Sequence, residues 1–65
     1  MNVCVEFYKI GDEVSFKTFY LPCRPMIHDI HIFEGIYYTI KYVVFNHDKD
    51  YSIKCLVEEG IDAIL

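Results

Sequence analysis

The chain has 65 residues and a mass of 7.7 kDa, enough for one domain spanning residues 1–65. At 54% hydrophobic and 25% charged residues, with a net charge of −4, it is not a disordered tail, a collagen-like chain or a multidomain enzyme. A fold of this size buries only about 60% of its unfolded surface, which leaves little room for a deep pocket with its own catalytic shell.

The kind of apolar residue sets the fold class. Nine Ile, six Val, two Thr and eleven aromatics stand against one Ala and three Leu. Branched and aromatic side chains fit a pleated, half-buried surface and lose rotamer freedom in a helix. The chain is therefore read as all-β. Gly11-Asp12, Pro22 to Pro25, Glu34-Gly35, His47 to Asp50 and Gly60 cut it into five apolar runs and a short tail.

Run one is residues 3–10 and run two is residues 13–21. A two-residue loop at Gly11-Asp12 pairs Val3 with Tyr20, Val5 with Thr18 and Phe7 with Phe16 on an apolar face. On the other face Cys4 meets Phe19, Glu6 meets Lys17 and Tyr8 meets Ser15. Residues 21–25, with Pro22 and Pro25, have too few N–H donors for a central strand and form a crossover.

Run three is residues 26–32 and run four is residues 36–46. A two-residue loop at Glu34-Gly35 would pair Asp29 with Ile40 and put charge on the core face. A three-residue loop, Phe33-Glu34-Gly35, avoids this and pairs Ile32 with Ile36, Ile30 with Tyr38 and His28 with Ile40. Run five, residues 51–57, follows a turn at Asp48-Lys49, which pairs Val44 with Ile53, Tyr42 with Cys55 and Ile40 with Val57. The expected core then holds Ile30, Ile32, Ile36, Tyr38, Ile40, Tyr42, Val44, Ile53, Cys55 and Val57. Residues 61–65 would add one helical or 3₁₀ turn over an open end. An N-terminal hairpin folded onto a three-stranded meander gives a small five-stranded antiparallel SH3-like barrel. An OB-like barrel is the alternative, weaker for want of a helix between the third and fourth strands.

No apolar run reaches the roughly 18 residues of a membrane span, and residues 1–6 carry no basic region leading into an apolar one. Three cysteines, at 4, 23 and 55, are an odd number and read as reduced thiols in a cytoplasmic protein. Residues 1–57 hold seven acids and six scattered bases, so duplex nucleic acid is not an expected partner, and neither is a membrane.

Cys23, His28 and His31 are metal-ligand types, but the two histidines, three apart on a strand, point to opposite faces. They read as unrelated residues, with no metal and no cofactor expected. Cys23 beside Arg24 offers a thiol without an evident cleft or oxyanion hole, and His28-Asp29 alternate faces. No catalytic residue is assigned. The residues left over are apolar. In the registers above Tyr37, Val43, Phe45 and Leu56 project outward from the meander, with Phe33 at the loop tip. They form a candidate protein interface with Lys41, Lys54 and Glu58 as its rim.

The Gly11-Asp12 loop, the Pro22 and Pro25 crossover, Gly35-Ile36-Tyr37 and the residues 46–50 turn loosely resemble short bacteriophage-borne SH3-like β-barrel proteins. The likeness is one of turn and strand order, and His28-Asp29 stands where such chains often have Gly-Asp. It transfers no functional residue. It implies a context of phage or mobile-element inhibitors and adaptors of host proteins, anti-defence factors among them. The expected function is a non-enzymatic protein-binding module acting on a host protein, with a homo-oligomer as its own assembly. The alternative is an oligomeric small-nucleotide-binding protein, its Tyr and Phe rings stacking on a base and Lys41, Lys54 or Arg24 holding a phosphate.

Overall fold

The computed structural model describes residues 2–48 and 52–61. They form five strands and no helix: β1 (Val3–Lys9), β2 (Lys17–Leu21), β3 (Ile30–Phe33), β4 (Ile36–Asn46) and β5 (Ser52–Glu59). All five lie in one curled sheet of order β2-β1-β5-β4-β3, a half-barrel. Three pairings are antiparallel and one, β1 with β5, is parallel. The all-antiparallel expectation fails there for a simple reason. Four chain reversals return β5 to the direction of β1, so strands adjacent in one sheet can only run parallel.

The first hairpin is shifted by one residue from its expected register. Val3 faces Leu21, Val5 faces Phe19, and Glu6 faces Thr18 rather than Lys17. The turn falls one residue earlier than the expected Gly11-Asp12 loop, with Ile10 and Gly11 at its centre and Asp12 N–H donating to the Lys9 carbonyl at 2.9 Å, and the loop runs on to Phe16. Both Phe16, whose N–H reaches the Phe7 carbonyl at 2.9 Å, and Lys17 stand opposite Phe7. This extra residue inverts the parity of β2. Phe19 and Leu21 turn inward in place of Thr18 and Tyr20, which buries more apolar surface.

In β3 the parity is inverted as well. The turn is the two-residue Glu34-Gly35 loop, with φ of 52° and 82°, and it pairs Phe33 with Ile36 and His31 with Tyr38. Two successive positive φ values match the twist of the flanking strands. Ile30 and Ile32 therefore point out, while His31 and Phe33 point in. The charge expected on the core face does not arise. Asp29 has already left the strand and accepts the Met26 N–H on Oδ2 at 2.9 Å.

β4 changes parity within its own length. Ile40 pairs with Val57 as expected, but the next pair is Tyr42 with Leu56, so Lys41 is an inserted bulge residue. Below it Tyr38 and Ile40 face the core; above it Val43 and Phe45 do, and Tyr42 and Val44 face solvent. On β5 the expected core residues Ile53, Cys55 and Val57 are all buried.

The core lies on the concave side: Val5, Phe7, Tyr38, Ile40, Ile53, Cys55 and Val57 are buried, with Val3, Phe16, Leu21, Phe33 and Val43 packed against them. β2 and β3 are the sheet's two edges and share no backbone pairing. They meet through side chains instead. The Phe19 and Phe33 rings stack at 5.4 Å and 8°, and Lys17 Nζ lies 3.3 Å from Glu34 Oε2. The end of β5 is pinned where Gly60 N–H donates to the Tyr37 carbonyl at 2.7 Å and the buried Thr39 hydroxyl donates to the Gly60 carbonyl at 2.6 Å. The expected turn at Asp48-Lys49 and the terminal turn of residues 61–65 fall largely outside the described residues.

Two stability predictions follow from this packing. Phe33→Ala costs about 3 kcal/mol, most of the roughly 3–5 kcal/mol a core this small supplies, so urea denaturation should find the variant marginally stable, with its midpoint close to zero denaturant. Gly35→Ala meets no atom within 4 Å. Its cost, about 1–2 kcal/mol, is that of the left-handed backbone alone, seen as a lower urea midpoint with an unchanged slope.

Candidate interaction site

Two surfaces emerge from these registers. The first is the outer face of the β3–β4–β5 side of the sheet. Ile32 pairs directly with Tyr37, and Tyr42 pairs with Leu56 next to Val44. Tyr42 is 58% exposed and Ile32 55% exposed, while Leu56 is half-buried. Towards β1 this face turns polar. Glu6 lies beside Lys54 in the parallel pair, the Tyr8 hydroxyl donates to Glu6 Oε1 at 3.3 Å, and Lys54 Nζ sits 4.7 Å from the Tyr8 ring centre. Burial and the neighbouring Glu6 carboxylate both push the Tyr8 phenol up. Lys41, carried outward by the bulge, reaches Glu58 at 3.7 Å.

The second surface is a groove at one end of the concave face. The crossover, residues 22–29, takes the chain from the β2 edge to the β3 edge and is anchored by the buried Pro25. It is tied to β4 by two bonds of 2.9 Å, His28 N–H to the Ile40 carbonyl and Ile40 N–H to the Asp29 carbonyl. Pro25 also disfavours a helical backbone at Arg24. The Arg24 guanidinium lies over the Phe45 ring, its Cζ 5.4 Å from the ring centre. On either side of this pair is a shallow cavity. One, of about 420 Å³, is lined by Val3, Ile53 and His47; the other, of about 400 Å³, by Pro25, Met26, Ile27 and Val43.

The expected outward stripe does not form one surface. Tyr37 and Leu56 lie on the outer face, whereas Val43 and Phe45 lie on the concave face, with Phe45 in the groove wall. Phe33 is in the aromatic cluster, not at an exposed loop tip. The Lys41 bulge separates these residues, since it reverses β4 between Tyr37 and Val43. Sequence reasoning missed Met26 and Ile27 as groove residues because it placed them in a strand. Pro25 just before them was the available signal of a non-strand segment.

Among the described residues no three His, Cys, Asp or Glu side chains come together as a metal site. His28 sits exposed at φ 79°, while His31 is packed 5.2 Å from the Phe7 ring. Cys23 is exposed and Cys55 fully buried; burial, with the Asp29 carboxylate adding to it, pushes the Cys55 thiol up to about 11. Among the described residues no helix is long and apolar enough to cross a membrane. The chain matches no protein-family model, no curated protein and no solved structure.

The thiols give a direct check. An unfolded thiol ionises at about 8.5, and burial raises the folded Cys55 to about 11. Between these values the native state holds the extra proton, so its stability falls as pH rises. Alkaline urea titrations should show wild type losing more stability than Cys55→Ala across that window. At about pH 8 a thiol reagent should label Cys23 in the native protein and Cys55 only on unfolding.

Proposed function

We propose that this chain is a non-enzymatic protein-binding module, a small barrel of the SH3-like kind, that acts in the cytoplasm as an inhibitor or adaptor on a host protein. The direct Glu34-Gly35 turn between β3 and β4, with no helix, favours the SH3-like over the OB-like description. The observation that carries the functional reading is the outer face: among the described residues Ile32 and Tyr37 are exposed as one cross-strand pair, and Tyr42 and Val44 are exposed beside Leu56. Contiguous apolar surface with a polar rim is how protein interfaces are built, and aromatic anchors dominate their energetics. A second copy of the chain is the simplest partner for such a face, and a host protein is the functional one. The phage or mobile-element setting comes from the sequence resemblance alone.

A second reading, an oligomeric nucleotide-binding protein, draws support from the guanidinium and ring at Arg24 and Phe45. Metabolites extracted from the purified protein distinguish it: a stoichiometric nucleotide favours the second reading, its absence the first.

A photoreactive amino acid at position 42 tests the leading reading. It should crosslink to a defined protein partner, or to a second copy, while the same group at the exposed loop position of Val14 should not. With that partner purified, Tyr42→Asp should weaken binding by about thirtyfold, the loss of one anchor residue, with the urea midpoint unchanged. Equal crosslinking from both positions, or undiminished affinity, would discard the outer face as the interface.

A further inference from the structure

We infer that the Arg24–Phe45 groove is a docking site for a partner segment in which a carboxylate side chain lies between two bulky apolar side chains. This deepens the protein-binding reading and rests on it, but it uses a different surface from the outer face.

The chain carries a net charge of −4, yet among the described residues the groove lining contains no carboxylate, and its ionisable groups are Arg24 and His47. Arg24 makes no ion pair among the described residues. Its Cζ lies 5.4 Å from the Phe45 ring centre, a cation–π contact that restrains the side chain beside the groove. Such a held guanidinium loses less conformational freedom on binding than a free one, because the ring has already oriented it.

The cavities fix the rest of the ligand. Two pockets adjoin at the Arg24–Phe45 pair, and apart from these two residues and His47 they are walled by apolar side chains. Each is at the small end of ordinary ligand pockets, which run from about 300 to 1,000 Å³. One pocket accommodates one bulky side chain, not a whole cofactor. A wholly apolar segment would cover Arg24 and strip its water without replacing it, which is costly. A segment with a central carboxylate returns a charge-assisted, bidentate pair to the guanidinium as the flanking side chains fill the pockets. Met26 and Ile27, exposed on the rim, supply surface that can adapt to those side chains.

The test uses two capped tripeptides, acetyl-Phe-Glu-Leu-amide and acetyl-Phe-Gln-Leu-amide, with AMP as the nucleotide probe, titrated at millimolar concentration into isotope-labelled protein. The glutamyl peptide should shift the amides of Val3, Met26, Ile27, Val43 and Ile53 and leave those of Tyr42 and Leu56 in place. The glutaminyl peptide should bind at least about tenfold more weakly, the loss of a charge-assisted pair. Arg24→Gln should weaken the glutamyl peptide by a similar factor and leave the glutaminyl one unchanged; Arg24 is exposed, so the fold is retained, as amide dispersion will show. Equal binding of the two peptides, shifts confined to other surfaces, no shifts, or groove shifts with AMP but not with the glutamyl peptide would each overturn the inference. None of these touches the crosslinking result at position 42, which tests the broader protein-binding reading separately.

Discussion

Phe33 is the contact on which the curl of the sheet depends. Its ring lies 5.0 Å from Phe7, 5.9 Å from Phe16, 5.4 Å from Phe19 and 5.7 Å from Tyr38, with His31 stacked at 6.3 Å. Those partners come from β1, the β1–β2 loop, β2, β4 and β3. A sheet whose edges share no backbone pairing would flatten and expose its concave side. Here ring pairs, each worth about 0.5–1.5 kcal/mol beyond their buried area, hold the edges together at the end of the half-barrel near the Glu34-Gly35 turn. Away from Phe33 the crossover covers the concave face in place of aromatic rings. That difference between the two ends leaves the Arg24–Phe45 groove open.

Much of this was legible in the sequence, but unevenly. The all-β class follows from the excess of Ile, Val and aromatic residues, and each of the five runs overlaps one strand, although runs two and three begin four residues before β2 and β3 do. The parity of β1 and β5 was also readable, because only one choice places Glu6 on β1 and Lys54 and Glu58 on β5 outside, leaving Val3, Val5, Phe7, Ile53, Cys55 and Val57 inside. The errors in β2 and β4 share one cause, the insertion of single residues. Phe16 beside Lys17 and Lys41 in β4 each reverse the facing of every residue beyond them. In β4 both alternating sets are apolar, Tyr42 and Val44 against Val43 and Phe45, so the pattern does not say which set is inside. In β3 the avoidance of a charge on the core face led to the wrong loop, because Asp29 was treated as a strand residue instead of a turn residue satisfied by the Met26 N–H.

The same ambiguity decides the functional picture. A chain with apolar residues on both strand faces fills a core and still has apolar side chains to present. This one presents them in two places of different chemistry: a broad face ending in the Glu6–Tyr8–Lys54 polar cluster, and a narrow groove with one oriented guanidinium. On the proposed reading both serve recognition, with the curled sheet positioning each surface.

The aromatic closure and the groove both depend on the facing of β3 and of the β4 residues beyond Lys41. Nuclear Overhauser contacts among the aromatic and methyl protons of the free protein test that facing most directly. The account predicts cross-peaks from the Phe33 ring to Phe7 and Phe19, and from the Phe45 ring to Val3 and Ile53, with Tyr42 contacting Leu56 instead. Cross-peaks from Phe33 to outer-face residues, or from Tyr42 to Cys55 and Val44 to Ile53, would contradict it, removing both the aromatic closure and the groove.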